Sequence, residues 1–315
     1  MLYYAELLAG LLLLIVGGNV LVDGAVIVAK KLKVSPLLIG LLLVGFGMSM
    51  PELATSLISV SRKAGGIAIG NVVGANIANI LLVLGVAAMI RPIKIHRMSF
   101  GRDAIFLALS TIVLLVSLLR GEIGWELGAL MCMTLAFYVY HSYETDKPHA
   151  KELAENPRHI ALSKRFHVST PLSIILTICG IILTIMGAHL LVDGVIIVAG
   201  HLGVSETLIG LTIVAFGTSL PELVTAIIAS VKGHSDVAVG NVIGSNIYNA
   251  LFILGFTSLF LPVSVPETVK PDVLVMTAAT LLLMAICWGR GRIGNKTGLG
   301  FVALYFMYII YVGIH

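Results

Sequence analysis

Charge is what this sequence has least of. Asp, Glu, Lys and Arg make up 11% of its 315 residues, against about 25% in a soluble globule. With 58% hydrophobic residues and a mean hydropathy of +1.04, a water-soluble fold is excluded. Cys132, Cys179 and Cys287 stand singly in apolar segments, which excludes a disulfide framework and any thiolate metal spacing. The apolar runs lack strand-like alternation, so a transmembrane barrel is excluded too. No nucleophile–His pair accompanies the buried acids, and no enzyme is expected. The histidines cluster mostly in or near loops, as at His141, His149, His159 and His167, where a solvated role is the default. The first apolar run carries Glu6 and has no basic leader, so it is expected to be a retained span rather than a signal peptide.

What is present is a series of apolar runs, each long enough to cross a bilayer. They fall near residues 5–29, 36–61, 66–90, 103–119 and 124–142, then near 171–199, 206–231, 236–260, 271–288 and 298–314, with boundaries good to about three residues. The two sets of five are copies. An offset of 170 residues aligns Glu52 with Glu222, Asp23-Gly24 with Asp193-Gly194, Gly70-Asn71 with Gly240-Asn241 and Asn79 with Asn249, without a gap. An odd helix count per copy forces opposite orientations. The expected fold is an all-α integral membrane protein of about ten transmembrane helices in two inverted repeats, 1–142 and 169–315, joined by a polar linker, 143–168. Lys30, Lys31, Lys33, Arg91, Lys94, Arg97, Arg102, Lys232, Arg290, Arg292 and Lys296 share a side with the basic linker, whereas Arg62, Lys63, Arg120 and Lys270 lie opposite. That bias puts the linker in the cytoplasm and both termini outside a cell membrane.

Each repeat holds a hexad that breaks its helix: Gly47-Met48-Ser49-Met50-Pro51-Glu52 and Gly217-Thr218-Ser219-Leu220-Pro221-Glu222. One half-helix is expected to end near the glycine and another to begin at the proline, whose missing N–H is not needed there. The glutamate then lies in a first turn, where the helix dipole favours negative charge. A charge at membrane depth costs at least about 2.5–3.5 kcal/mol, and two matched copies argue for use rather than accident. The third and eighth spans add Asn71, Asn76, Asn79, Asn241, Ser245, Asn246 and Asn249. With Ser49, Thr218 and Ser219 these form an all-oxygen set suited to hard cations such as Ca²⁺ and Na⁺. Interhelical packing is the alternative role for the asparagines. Two carboxylates leave an empty site near −2, costly to close away from water, whereas one Ca²⁺ neutralises it and two to three Na⁺ do so to within about one unit. That favours obligatory exchange over leak. Asp23 and Asp193 are either gate residues on a moving helix or interfacial charges.

At these residues the chain resembles the calcium/cation antiporter superfamily, and within it the prokaryotic sodium/calcium exchangers. The paired Gly-x-Ser-x-Pro-Glu and Gly-Asn-x-x-Gly-[Ser/Ala]-Asn-Ile stretches carry the likeness across nearly the whole chain. The resemblance implies a core of the second, third, seventh and eighth helices, across which the first and sixth slide. It implies Ca²⁺ held by Glu52 and Glu222, with Na⁺ sites lined by Ser49, Thr218, Ser219, Ser245, Gly45 and Ala215, and with Asn79 in the same cluster. Met48 stands where the family has a threonine, Ala75 where serine is common, and Asn249 where the exchangers of known mechanism have an aspartate. These departures bear on the Na⁺ sites and the stoichiometry. The function expected is Ca²⁺ exchange for Na⁺, with no cofactor, nucleic acid or protein partner. The alternatives are proton coupling through Glu52 or Glu222 and, from a different class, a passive cation channel.

Overall fold

Residues 2–95, 97–154, 169–201 and 217–314 are described by the computed structural model. Ten long helices account for almost all of them. They are α1 (Leu2–Leu32), α2 (Pro36–Ser61), α3 (Gly65–Ile90), α4 (Arg97–Arg120) and α5 (Trp125–Ala154). The second set comprises α6 (Thr170–His201), α7 (Leu220–Val231), α8 (Ser235–Phe260), α9 (Lys270–Arg290) and α10 (Asn295–Ile314). Eight of the helices are long and apolar enough to cross a membrane. The described part of α7 is shorter, and α5 runs on to Ala154, within the expected polar stretch.

The inversion of the repeats can be followed in the packing. Strands β1 (Ile93–Lys94), β2 (Glu122–Ile123), β3 (Val263–Ser264) and β4 (Arg292–Ile293) form two antiparallel clasps, β1 with β4 and β2 with β3. Shifting either clasp by the repeat offset generates the other: Ile93 faces Ile293, and Val263 faces Ile123. Likewise α3 packs on α10 and α8 packs on α5.

Helices α1 and α6 cross as an antiparallel pair with more mutual contact than any other two elements. Glycines permit the approach: a Cβ at Gly187 would stand 2.8 Å from the Gly10 carbonyl oxygen and 2.6 Å from the Leu14 nitrogen. The centre of the fold is the contact of α2 with α8. There a Cβ at Gly244 would meet the Leu41 carbonyl oxygen at 2.6 Å, so close helix approach depends on the missing side chain.

The expected helix break in α2 is present but slight. The chain is α-helical to Ile39, π-helical over Gly40–Gly45 and α-helical again over Phe46–Met48. It turns at Ser49 (φ −82°, ψ 1°) and resumes as a helix at Met50. The new helix therefore starts one residue before Pro51, whose ring is equally well tolerated in that first turn. Further π-helical segments occupy Asn79–Val83 in α3 and Tyr248–Ile253 in α8. Such segments often occur at functional sites, and a uniform apolar pattern gives no sign of them.

The start of α2 is fastened from a distance. Ser35 caps it, accepting from the Leu38 N–H at 3.1 Å. Buried Asp146, from the end of α5, accepts from the Ser35 N–H at 2.7 Å and the Ser35 hydroxyl at 2.6 Å. Asp146→Ala leaves two donors unpartnered, at about 1–3 kcal/mol. A lowered thermal midpoint of the detergent-solubilised protein is the expected outcome.

Candidate cation-binding site

Glu52 lies in the first turn of the helix Met50–Ser61, and Glu222 in the first turn of α7. Both are almost wholly enclosed, at 4% and 3% exposure. Each stands where the unsatisfied N–H groups of a helix start favour negative charge. The helix Met50–Ser61 packs on the Tyr248–Ile253 segment of α8, and α7 packs on the Asn79–Val83 segment of α3, so each acid-bearing helix meets the asparagine segment of the other half. Among the described residues no basic side chain pairs with either glutamate. One oxygen of each, Oε2, is buried with no hydrogen-bond partner.

The asparagines of α3 and α8 form a crossed network that obeys the repeat symmetry. Asn76 Nδ2 donates to the Asn246 backbone carbonyl at 3.2 Å, and Asn246 Nδ2 donates to that of Asn76 at 3.3 Å. Asn79 Nδ2 donates to Asn246 Oδ1 at 3.0 Å, and Asn249 Nδ2 to Asn76 Oδ1 at 3.1 Å. With their NH₂ groups committed, Asn79 and Asn249 each hold out a carbonyl oxygen, buried and unpartnered. Ser49 Oγ is in the same condition. Five such oxygens come from α2, α3, α7 and α8, and a buried polar atom left unpaired costs about 1–3 kcal/mol. A hard cation is the species that this donor chemistry fits.

The remaining candidates fall into place unevenly. Ser245 Oγ donates to the Gly45 carbonyl at 3.4 Å, joining α8 to the π-helical segment of α2. Ser219 is buried and Thr218 is exposed; Ala215 lies outside the described residues. Asn71 Nδ2 donates to the Glu52 carbonyl at 3.3 Å, which ties α3 to the helix break. Its repeat counterpart Asn241 is fully buried with both amide atoms unpartnered. Met48 is buried where an extra hydroxyl would have stood, and a thioether is a poor ligand for hard cations. The positions of all these polar residues can be read from the sequence. The roles of Asn76 and Asn246 in fixing the neighbouring amides cannot, because that pairing joins residues 167 to 173 positions apart.

Two inverted five-helix halves, meeting at a buried all-oxygen cluster between helix breaks, define an antiporter of cations rather than an enzyme. The family model described as sodium/calcium exchanger protein matches residues 2–144 and 172–313, and the chain belongs to that family. Sodium/calcium exchanger MaX1 of Methanosarcina acetivorans is 32% identical over 342 residues, covering 97% of this chain and 98% of that protein. Inner membrane protein YrbG of Escherichia coli is 34% identical over 296 residues, covering 91% and 89%. Among solved structures, the sodium-calcium exchanger NCX_Mj soaked with Na⁺ and Ca²⁺ superposes with a TM-score of 0.83 at 31% identity, over 98% of each chain. The protein is thus a multi-pass membrane antiporter of the Ca²⁺/cation class.

Proposed function

We propose that this antiporter exchanges Ca²⁺ for Na⁺ across the cell membrane, with Glu52 and Glu222 holding the divalent ion. The observation that carries the reading is the set of five unpartnered buried oxygens, two of them from carboxylates that lack a basic neighbour among the described residues. Asn79, Asn249 and Ser49 complete the Ca²⁺ shell, and Ser219, Thr218, Ser245, Gly45 and Ala215 serve the monovalent ions. Residues 1–142 and 169–315 act as the two halves, with the linker 143–168 in the cytoplasm and both termini outside.

The acid count sets the stoichiometry. Two carboxylates are neutralised by one Ca²⁺ or by two monovalent ions, so exchange of two Na⁺ per Ca²⁺ moves no net charge. A third Na⁺ would make the cycle sensitive to voltage, at about 2.3 kcal/mol per charge per 100 mV. The same balance works with two protons, and loss of hydroxyls at Met48 and Ala75 favours that second reading in the first half.

The deciding experiment is Ca²⁺ uptake into vesicles driven by an imposed Na⁺ gradient at equal pH, against a pH gradient without Na⁺. Uptake in the first arm, unchanged when a membrane potential is clamped, is the expected result. Uptake in the second arm alone would transfer the coupling to protons. Flux with no counter-ion gradient would make the protein a channel.

A further inference from the structure

The two halves share a sequence pattern but not, in this structure, a conformation. Lys232, directly after α7, reaches across to α1: its Nζ lies 2.7 Å from Asp23 Oδ1 and 3.4 Å from the Asn19 carbonyl. The repeat offset carries Asp23 to Asp193 on α6 and Lys232 to Arg62 at the end of α2. Those two residues are both exposed and form no ion pair with each other. The packing follows the same split. Helix α1 lies along α7, whereas α6 makes no comparable contact with the second part of α2 among the described residues. Leu220 is 9% exposed, enclosed with Leu14 and Ala188, but its counterpart Met50 is 42% exposed. Ile58 is likewise open at 52%, while Ile228 is half-buried.

The two positions lie on opposite faces of the membrane. Gly233, next to Lys232, abuts Arg91, just before β1 in the β1–β4 clasp. Gly65, shortly after Arg62, abuts Ser264 in the β2–β3 clasp. On one face the ion pair is made and Leu220 is enclosed, and on the other the pair is apart and Met50 is exposed.

We propose that Asp23–Lys232 and Asp193–Arg62 are alternating latches: each clamps the α1/α6 pair to the core on one membrane face, and making one requires breaking the other. The inference rests on the alternating-access reading of the antiporter. Antiparallel crossing makes α1 and α6 a single body held together by its glycines, so a slide that carries Asp193 towards Arg62 draws Asp23 away from Lys232. The energetics suit the task. The Lys232 and Asp23 side chains are 26% and 56% exposed, and a pair in that setting is weak. It can bias two states without trapping either.

The test uses the full-length protein in oriented membrane vesicles, with Cys132, Cys179 and Cys287 replaced by alanine. Met50→Cys reports on one face and Leu220→Cys on the other, through the rate of reaction with a membrane-impermeant maleimide added to right-side-out and inside-out vesicles respectively. Lys232→Met should speed labelling of the Leu220→Cys reporter and slow that of the Met50→Cys reporter by about two- to fivefold, the shift a single weak ion pair supports. Arg62→Met should do the reverse, and the swap Asp23→Lys with Lys232→Asp should restore the parent rates. No shift, or shifts in the same direction from both substitutions, overturns the proposal. Ca²⁺ flux in the parent vesicles is read separately. Its absence would count against the exchange reading, while the labelling would still report on the latches.

Discussion

Glu52→Gln and Glu222→Gln should each reduce Ca²⁺ exchange at least about 30-fold, with the protein still inserted and folded. The two carboxylates are the sole full charges found in the cluster among the described residues, so under the proposed exchange each supplies half of the attraction for a divalent ion. Removing a unit negative charge about 4 Å from Ca²⁺ forfeits on the order of 8 kcal/mol at an effective dielectric of about 20. Several kcal/mol return because the variant need no longer desolvate that carboxylate. A net loss of about 2–4 kcal/mol remains, which is roughly 30- to 1000-fold in affinity. The transport step suffers as well. A Ca²⁺-loaded site with a single carboxylate carries net positive charge, and moving it between faces meets the cost of an uncompensated charge at membrane depth. Stability should hold or rise, because glutamine replaces a buried unpaired carboxylate with a neutral group of the same shape. Ca²⁺ binding by calorimetry in detergent and Ca²⁺ uptake in vesicles check the two parts. Wild-type values for either variant would remove that residue from the cage.

The residues at issue here could be picked out of the chain unaided, whereas the way they are tied together could not. A gapless repeat at an offset of 170, with five helices per copy, is enough to require inversion, and the paired clasps Ile93–Ile293 and Val263–Ile123 follow that inversion. Glu52 and Glu222 announce themselves because a charge is conspicuous against an apolar background. The π-helical stretches at Gly40–Gly45, Asn79–Val83 and Tyr248–Ile253 leave no such trace. A helix of either kind places similar apolar residues towards lipid, and only the close contacts of α2, α3 and α8 decide between them. The Asp146–Ser35 bond is hidden for another reason: it spans 111 residues, and no local pattern links the two positions. The conformational asymmetry of the halves is out of reach in principle. Two copies of one pattern suit either half equally well, and the pattern alone does not say which is the more enclosed.

Asn249→Asp separates affinity from turnover. The substitution adds a third carboxylate to a cluster that, under the proposed exchange, one Ca²⁺ already neutralises. Attraction for Ca²⁺ grows by the same Coulomb term that Glu52→Gln removes, but two local costs oppose it. The new carboxylate must be desolvated beside Glu52 and Glu222. It also loses the bond that Asn249 Nδ2 now donates to Asn76 Oδ1 at 3.1 Å, setting two acceptors against each other unless Asn76 turns and abandons the Asn246 carbonyl. The remaining gain should still tighten Ca²⁺ binding by about tenfold or more, or about 1.4 kcal/mol. Turnover should change in the opposite sense. A Ca²⁺-loaded site at −1 resists closure, so Ca²⁺ self-exchange without Na⁺ should fall by about tenfold. Three monovalent ions are then needed to neutralise the alternative state. The Na⁺ dependence of Ca²⁺ efflux should steepen by about one in Hill coefficient, and the exchange should become sensitive to an imposed potential, since three charges would move against two. If affinity, steepness and voltage response all stayed at parental values, Asn249 would lie outside the cage, and the two-carboxylate account of electroneutral exchange would lose its structural basis.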